Sequence, residues 1–393
     1  MSHKLNKVEI ILIKKKFIKS KFPLPSFFHE GFYIFKLYTN QGVYGLGEPS
    51  TYAGSLKEIV SSTKIIFDEI KNKELKTLKF DKIKKKLFLK FQKKLPLAAS
   101  IAGLSHCVFD ILGKINSKPL SKILENKNSS NKIKLYASGG MIYHDQNYEL
   151  LLKEALSFKK KNFFGWKFRP PFPRNFKNHL KRMKIPPPIK NKELIKISER
   201  LRLSLGNNFN LMIDLGCRCK NKKEFQYLLS AFTELNFFFI EEPFKRSLMN
   251  YKNLTSSKIP NISAGENLYI YEDILKWRNK NFIDLIQLDL NLNDINTMYN
   301  LFKNYTKKPY LLPHNWNNYV NESVTYNFLD SLKMKNKEIV VEKNIIKNPY
   351  KKLFINKCFN IINGAIKFKN YSGHGILLKK VDLKKFKVKK VEI

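Results

Sequence analysis

The sequence has few cysteines, few acidic residues relative to basic ones, and no long apolar run. Its four cysteines, among 393 residues, form neither a disulfide framework nor a zinc-binding spacing, which predicts reduced thiols. No apolar stretch approaches the roughly 20 residues that span a bilayer. The run VEIILI near the N-terminus is too short for a signal-peptide core and favours a strand. These features predict a cytoplasmic protein with no membrane partner.

Acidic residues are scarce: the chain has 32 Asp and Glu against 74 Lys and Arg, a formal net charge of +42. Such an excess ordinarily suggests nucleic acid or an anionic surface as partner. Here the basic residues are mostly Lys, spread along the chain beside abundant Asn, Ile and Phe, as an AT-rich coding sequence would produce. There is no long basic tail and no recognisable nucleic-acid module. We therefore predict a solvated lysine surface and no nucleic-acid partner.

What the chain does have is a repeated pattern in its second half. Short apolar runs recur, and most end in a carboxylate or a histidine, at intervals of roughly 25 residues. This interval is the period of a (β/α)8 barrel, because a strand, a helix and two loops consume about 25 to 30 residues. The eight runs are 133–138, 163–169, 210–214, 236–243, 261–266, 284–289, 309–314 and 338–342. Continuous apolar runs are typical of parallel strands buried on both faces.

Length and the N-terminal pattern predict a second domain. A barrel of about 240 residues leaves roughly 130 residues before it and a short tail after it. Residues 1–130 alternate strand-like and helix-like stretches and predict an α+β domain, and residues 131–369 predict the barrel. The tail, 370–393, contains a strand-like pattern that predicts a return to the first domain.

Three carboxylates at successive strand ends predict a metal site. Asp214, Glu241 and Glu266 would lie side by side at the carboxyl edge of the barrel, where active sites of such barrels form. An all-carboxylate set without His or Cys suits Mg²⁺. In the pair Glu241-Glu242 the side chains point to opposite sides of a strand, so only one can face the metal, and we choose Glu241.

The same edge carries candidates for proton transfer. His314 ends the seventh run and Asp289 the sixth, and a carboxylate beside an imidazole raises its basicity, as a general base requires. Lys167 and Arg169 alternate along the second run and would face the same side. Lysine can serve as acid, base or electrostatic clamp, whereas arginine is a poor base but a good carboxylate partner.

This arrangement resembles the enolase superfamily, and within it the mandelate racemase subgroup, over essentially the whole chain. The three metal ligands of that family match Asp214, Glu241 in IEEP and Glu266 in AGEN. Its Asp-His dyad matches Asp289 and His314, its last-strand Glu matches Glu342, and its Lys-x-Lys or Lys-x-Arg matches 167–169. Residues 102–126 look like its segment linking the two domains, and GEPS (47–50) falls where it has a capping loop.

The resemblance implies an α/β fold, a (β/α)7β modified TIM barrel with an α+β capping domain that the C-terminal tail completes. It also implies a shared step in which Mg²⁺ binds a substrate carboxylate and a base removes the α-proton to give an enediolate. By analogy His314 is base or acid, Lys167 neutralises carboxylate charge, and Glu342 donates a hydrogen bond to the developing oxyanion. The resemblance further implies a symmetric homo-oligomer.

Two departures from the family pattern bear on the reaction. Racemases of the subgroup use a second lysine where this chain has Arg169, so loss of that base favours β-elimination of water from a hydroxy-acid. Gly216 stands where many relatives carry an Asn that contacts substrate. The leading hypothesis is a Mg²⁺-dependent lyase that dehydrates an acid sugar, an aldonate or aldarate. The alternatives are a racemase, epimerase or cycloisomerase of a related carboxylate and, more remotely, a non-catalytic basic binding protein.

Substrate specificity is assigned to loops. The segments 22–30 and 47–55 are the predicted specificity loops, with His29 and Tyr52 as candidate contacts, and Asn267 is a third candidate beside Glu266. One interval is anomalous, since Lys167 and Asp214 are 47 residues apart whereas later intervals are between 23 and 28. The excess is a basic, proline-rich insertion at 170–191, for which an active-site cover, a contact with a neighbouring subunit and a passive surface loop remain open.

Overall fold

The N-terminal part of the chain forms a four-stranded antiparallel sheet in the order β16-β1-β2-β3. The computed structural model describes residues 2–16, 31–125, 132–140, 148–170, 189–245, 247–252, 254, 260–332, 338–346, 348–382 and 384–393. The sheet strands are β1 (Leu5–Lys15), β2 (Phe32–Thr39), β3 (Tyr44–Gly47) and β16 (Phe386–Glu392). The last strand of the chain therefore lies beside the first, with Glu392 opposite Glu9.

Three helices cover this sheet: α1 (Leu56–Ile70), α2 (Phe80–Phe91) and α3 (Leu95–Ile115). The first begins at Ser55, which accepts the backbone N–H of Glu58 while the Glu58 side chain accepts that of Ser55, a reciprocal cap. The apolar faces of the helices and the sheet share one core that includes Ile10, Phe35, Ile66 and Leu104. The α+β architecture expected of the N-terminal region is confirmed.

Helix α3 corrects one expectation. Its 21 residues are long and apolar enough to cross a membrane by length and composition, so the prediction that no apolar stretch approaches 20 residues was wrong. The stretch contains the polar residues Ser105, His106 and Asp110, so it does not stand out as a continuous apolar run although its mean hydropathy is high. In the fold, 83% of the most apolar window is buried. The helix packs between the N-terminal sheet and α1, which accounts for its composition.

The barrel contains the eight predicted parallel strands in the spatial order β10-β9-β8-β7-β6-β5-β4, with β11 beside β4. They are β4 (Lys132–Gly139), β5 (Gly165–Phe168), β6 (Asn210–Asp214), β7 (Phe239–Glu241), β8 (Asn261–Ala264), β9 (Leu285–Ile286), β10 (Tyr310–Leu311) and β11 (Glu338–Asn344). This is a (β/α)7β barrel with an N-terminal capping domain, as predicted.

Helices follow the strands along the chain. They are α5 (Tyr148–Lys160), α6 (Asn191–Leu205), α7 (Lys222–Glu234), α8 (Leu248–Tyr251), α9 (Tyr271–Asn279), α10 (Ile295–Phe302) and α11 (Tyr319–Ser331), and the short α4 (Leu120–Leu124) precedes the barrel. After β11 come the short strands β12 (Phe354–Asn356), β13 (Phe359–Ile362), β14 (Ala365–Phe368) and β15 (Ile376–Leu378). The amphipathic helices bury one face against the strands, as their three-and-four residue spacing requires.

Several strands are shorter than the apolar runs that predicted them. Strand β8 ends at Ala264 because Gly265 has φ 112°, a backbone conformation that L side chains rarely adopt. Strands β9 and β10 span two residues each, and an isolated parallel bridge between Asp289 and His314 extends their pairing. The carboxyl ends of the strands thus still lie along one edge of the barrel.

Apolar side chains fill the barrel axis below that edge. Tyr136, Met212, Phe239, Leu285 and Leu312 form a separate interior layer, and the larger core lies between strands and helices. The interior layer closes the barrel floor and confines polar side chains to the carboxyl edge. The proposed limits 1–130, 131–369 and 370–393 stay predictions, although the pairing of β16 with β1 places the tail in the N-terminal sheet.

Candidate active site at the carboxyl edge of the barrel

The three predicted metal ligands lie at the ends of neighbouring strands. Asp214 and Glu241 are the last residues of β6 and β7 and are register partners. Glu266 lies two residues beyond β8, after the turn at Gly265. Asp214 and Glu241 are buried, at 5% and 1% exposure. The structure therefore brings two of these carboxylates together within the barrel and places the third on the adjacent strand end.

The structure separates Glu241 from Glu242, as the sequence analysis expected. Glu241 points into the barrel, where the Gln287 amide donates to its Oε2 (2.8 Å). Glu242 has φ 43°, and its carboxylate accepts the backbone N–H of Gly265 (3.0 Å) and the Tyr251 hydroxyl (3.2 Å). The left-handed backbone at Glu242 turns its side chain outward, so it braces the β7 and β8 ends.

Each of the three predicted metal ligands lies close to a basic side chain. Lys167 Nζ lies 2.6 Å from Glu241 Oε2 and 2.7 Å from Glu342 Oε1, and Lys167 is 4% exposed. Arg169 Nη1 lies 3.1 Å from Asp214 Oδ2. Lys167 and Arg169 are two residues apart on β5 and its end, so both face the barrel mouth. The predicted clamp residues and the predicted metal ligands thus form one cluster.

His314 lies among three carboxylates. Its Nδ1 is 2.6 Å from Asp289 Oδ2, and its Nε2 is 3.3 Å from Glu266 Oε2 and 4.0 Å from Glu342 Oε2. Burial alone would lower the pKa of His314, but Glu266, the hydrogen bond to Asp289 and Glu342 outweigh burial and raise it to about 10. The imidazole thus has a hydrogen-bond partner at Nδ1 and a carboxylate 3.3 Å from Nε2. The predicted dyad is therefore formed in space.

Lys167 lies between two buried carboxylates whose pKa values are shifted in opposite directions. Burial raises the pKa of Glu241 to about 8, and the nearby Asp214 adds to this effect while Lys167 opposes it. Burial would also raise the pKa of Glu342, but Lys167, His314 and the backbone N–H of Asn315 hold it at about 2. Glu342 thus accepts the Asn315 N–H and contacts Lys167 in this structure. Its predicted role as a hydrogen-bond donor requires a protonated carboxyl and stays a prediction.

The donor set fits a hard divalent cation in kind. All three candidates supply carboxylate oxygens from consecutive strands, and the raised pKa of Glu241 reflects negative charge crowded in a buried place, which a cation relieves. Within the described residues no three His, Cys, Asp or Glu side chains converge on one point. Asp214, Glu241 and Glu266 could hold Mg²⁺ only after turning from their ion pairs with Arg169, Lys167 and His314.

A narrow cavity of about 30 Å³ opens among these side chains, enough for about two water molecules. Its lining consists of Ser138, Gly139, Lys167, Phe168, Arg169, Asp214, Glu241, His314, Trp316 and Glu342. The indole of Trp316 is an aromatic wall that the sequence analysis missed.

The structure describes two of the three candidate substrate contacts. Tyr52 is 45% exposed on a 3₁₀ turn, Thr51–Ala53, directly after the predicted capping loop, and it is absent from the described cavity lining. Asn267 donates from Nδ2 to Glu266 Oε1 (3.1 Å), so it orients a predicted ligand. His29, the loop 22–30 and residues 171–188 of the insertion lie outside the described residues. The substrate contacts stay predictions.

Buried asparagines around the dyad are a further feature that sequence reasoning missed. Asp289 Oδ2 accepts from Asn317 Nδ2 (3.2 Å), and Asp289 Oδ1 accepts from Asn321 Nδ2 (3.3 Å) and the Asn291 backbone N–H (3.0 Å). Four donors, including His314, therefore fix this carboxylate. The motifs HNWNN and LNLND that flank the dyad carried the signal, but abundant Asn elsewhere in the chain obscured it.

The capping loop reaches this network through a buried carboxylate. Glu48, 1% exposed, accepts the backbone N–H groups of Asn318 (2.8 Å) and Asn321 (3.1 Å) at the start of α11. Burial raises the pKa of Glu48 to about 7, although both backbone hydrogen bonds oppose the shift.

The raised pKa of Glu48 predicts how stability depends on pH. Between its ordinary value of 4.5 and about 7, the folded state holds a proton that the unfolded state has released. Stability due to this group is therefore complete below pH 4.5 and is lost as pH rises through about 7. Relative to Glu48→Gln, the free energy of unfolding of the wild type should fall by about 3 kcal/mol across this window, measured by urea titration. If the free energies of unfolding of the two proteins change in parallel with pH, the raised pKa of Glu48 is contradicted.

Gly216 leaves room for Arg169. A Cβ at Gly216, where φ is +55°, would lie 2.7 Å from Arg169 Nη2. Gly216→Asn should therefore displace the Arg169 guanidinium and destabilise the fold by only about 1 kcal/mol, and by less in an Arg169→Ala background, because Asn tolerates the left-handed backbone and the guanidinium is the end of a flexible side chain. Urea unfolding of the four proteins measures the coupling. Gly206, with φ +71° and no atom within 4 Å of its Cβ position, is the matched control. Equal costs of Gly216→Asn in both backgrounds would refute the steric account.

Comparison with known proteins places this site in a family. The Enolase C-terminal domain-like family matches residues 174–380, and the N-terminal domain of the mandelate racemase / muconate lactonizing enzyme family matches residues 21–124. A D-gluconate/D-galactonate dehydratase of Picrophilus torridus is 24% identical over 270 residues, which are 65% of this chain and 63% of the relative. An arabinonate dehydratase of Saccharolobus solfataricus is 23% identical over 257 residues, 64% of this chain and 63% of the relative.

Solved structures of similar fold cover nearly the whole chain. An enolase from Sargasso Sea environmental sequencing has a TM-score of 0.83 at 18% identity, covering 100% of this chain and 99% of the other. The 3,6-anhydro-D-galactonate cycloisomerase of Zobellia galactanivorans has a TM-score of 0.76 at 21% identity, covering 95% and 97%. At these identities the likeness concerns the fold alone. Taken with the two domain matches, the chain belongs to the mandelate racemase / muconate lactonizing enzyme family of the enolase superfamily.

Proposed function

We propose that this protein is a Mg²⁺-dependent dehydratase of an acid sugar, in the aldonate or aldarate class. The observation that carries the proposal is that His314, paired with Asp289, is the one imidazole among the described residues that line the cavity, together with Lys167 and Arg169. The relatives named above are dehydratases of sugar acids, which supports the same class of substrate. Because the chain spans 63% of the length of those relatives, their substrates serve as candidates only.

The proposed reaction is a β-elimination. His314, once deprotonated, takes the α-proton of the sugar acid, and the electron pair left behind forms an enediolate with the carboxylate. The pair then forms the Cα–Cβ double bond while the β-hydroxyl leaves with a proton as water. The resulting enol tautomerises to a 2-keto-3-deoxy acid. His314 can return its proton to the departing hydroxyl, so one acid–base group completes the cycle.

The other residues of the site have proposed roles that follow from their chemistry. Asp214, Glu241 and Glu266 would hold Mg²⁺, which neutralises negative charge that develops on the substrate carboxylate. Lys167, buried between two carboxylates, would neutralise the same charge from the opposite side. Arg169 offers a fixed cation and no competent base, because a guanidinium presents only N–H donors and no acceptor. This asymmetry favours elimination over racemisation, which needs a base on each face.

A screen of acid sugars tests the proposal. Purified protein with Mg²⁺ is incubated with stereoisomeric aldonates and aldarates, and 2-keto acid formation is followed in parallel with α-proton exchange in D₂O. Keto acid from one or two stereoisomers is the expected result. Exchange without keto acid would move the assignment to an epimerase or racemase of a related carboxylate. Neither signal with any sugar acid would refute the dehydratase. The expected oligomeric state and the cytoplasmic location stay predictions.

A further inference from the structure

The capping domain contacts the proton-transfer dyad through two hydrogen-bonded routes that meet at one atom. The first route starts at Ser50, whose backbone N–H donates to the Asn291 carbonyl (3.2 Å). The backbone N–H of Asn291 in turn donates to Asp289 Oδ1 (3.0 Å). A residue of the barrel loop that holds the dyad carboxylate is thus itself held by the capping loop.

The second route starts at Glu48. Its Oε1 accepts both the backbone N–H (2.8 Å) and the side-chain amide (3.1 Å) of Asn318, and its Oε2 accepts the backbone N–H of Asn321 (3.1 Å). The Asn321 side chain then donates to Asp289 Oδ1 (3.3 Å). Asp289 Oδ2 is 2.6 Å from His314 Nδ1. Glu48 therefore fixes the first turn of α11 and, through it, one of the donors to the dyad carboxylate.

The second route begins directly after a strand that packs closely against a helix. Strand β3 lies so close to α3 that a Cβ at Gly45 would lie 2.1 Å from the Cys107 carbonyl oxygen, and one at Gly47 would lie 1.9 Å from that of Gly103. Only glycine permits this approach, and Glu48 follows directly. All residues of the route are buried: Glu48 1%, Asn318 2%, Asn321 0%, Asn291 1% and Asp289 3% exposed. A displacement at Glu48 consequently has no solvent-filled space in which to relax.

We infer that Glu48 is a positioning residue for the His314–Asp289 dyad, acting from the capping domain through Asn318 and Asn321. This inference rests on the proposed role of His314 in proton transfer. Glu48 is absent from the described cavity lining, so we assign its effect on the reaction to the orientation of Asp289. Groups that orient a functional imidazole through its carboxylate partner affect activity by about 10- to 100-fold in comparable sites.

Glu48→Gln tests the inference with little change of volume. The amide nitrogen of Gln would face one of the three donors that Glu48 accepts, so either Asn318 or Asn321 must shift. The first readout is the ¹H and ¹⁵N resonance of the His314 ring N–H that is shared with Asp289, which needs no substrate. We expect that resonance to move. The second readout is turnover of the sugar acid found in the screen, with kcat falling about 10- to 100-fold and KM little changed.

Asp110→Asn is the matched control. Asp110 is also fully buried, and it joins α3 to β3 within the capping domain. It accepts the backbone N–H of Leu46 (3.0 Å) and pairs with Lys114 (2.6 Å). It has no hydrogen bond to Asp289, Asn318 or Asn321. We expect this variant to unfold at lower temperature while its His314 resonance and kcat stay those of the wild type. A matching change in both variants would assign Glu48 a merely structural role and overturn the inference.

Two further variants keep the test decisive. If Glu48→Gln fails to fold, Asn321→Ala keeps the backbone N–H to Glu48 and removes only the donor to Asp289, and it should move the His314 resonance. An unmoved resonance in the folded variant overturns the inference.

In an Asp289→Asn background Glu48→Gln should add little further loss of kcat, whereas additive losses would overturn the inference. Because the resonance is read without turnover, a failed substrate screen refutes the dehydratase and leaves this test intact.

Discussion

Replacing His314 with Asn should lower kcat by about 10²- to 10⁴-fold, the usual contribution of a positioned general base. Asn fills part of the imidazole volume and can still contact Asp289, but its amide cannot accept the α-proton. Because His314 Nδ1 is only 2.6 Å from Asp289, the wild-type ring is held in one orientation by a short hydrogen bond. The measurement is keto acid formation and α-proton exchange with the sugar acid identified in the screen.

Folding and cation binding are the controls for this substitution. His314 pairs with Glu266 but is not itself a proposed ligand, so the variant should unfold cooperatively and retain Mg²⁺ binding by calorimetry. Asp289→Asn should lose less activity than His314→Asn, and the double variant should lose no more than His314→Asn alone. Activity retained by a folded His314→Asn would remove this residue from the chemistry and require another base.

Glu241→Gln is expected to have the second large effect, the loss of Mg²⁺ binding by at least about 100-fold. Glu241 is the central member of the carboxylate trio, buried to 1% exposure and flanked by Asp214 on the neighbouring strand. Removing its charge leaves two carboxylates, which bind a hard cation far more weakly than three. Isothermal calorimetry of the variant with Mg²⁺ measures the loss, and activity should fall in proportion at limiting Mg²⁺.

The adjacent residue provides the matched control. Glu242→Gln changes the same side chain one position along, but Glu242 faces Tyr251 and Gly265 outside the barrel mouth. We expect this variant to lose stability, because a buried carboxylate that accepts a backbone N–H is altered, and to bind Mg²⁺ within about threefold of the wild type. Equal loss of Mg²⁺ binding in both variants would mean that the assignment of Glu241 as the inward carboxylate is wrong.

The fold could be predicted because its signal is periodic. Buried parallel strands must be apolar on both faces, so runs such as 210–214 and 261–266 stand out between amphipathic helices. The residue that follows each run is then fixed at one edge of the barrel, which is why Asp214, Glu241 and His314 could be singled out together. Their roles as ligands and base are not tested by this agreement and remain predictions.

The rest of the site could not be predicted because it depends on contacts between distant segments. Glu48 meets Asn318 across 270 residues, and neither belongs to a periodic pattern. Lys167 bridges Glu241 and Glu342 only because β5, β7 and β11 converge on one axis. Asparagines such as Asn317 and Asn321 gave no signal, since Asn is abundant along the whole chain. Helix α3 was missed as an apolar segment because polar side chains interrupt it.

The pairing of the first and last strands has a consequence for how the protein is made. Strand β16 forms an edge of the N-terminal sheet beside β1, with the Val8 N–H donating to Ile393 O (3.0 Å). During synthesis on the ribosome, β1 is translated before the barrel. Its partner β16 is translated only after the entire barrel. The N-terminal sheet thus reaches its final width only once β16 has followed the whole barrel out of the ribosome. In topological terms the barrel strands are inserted between β3 and β16 of one sheet, and β1 and β16 lie side by side, so a linker between these two strands is a natural joint in a circular permutant.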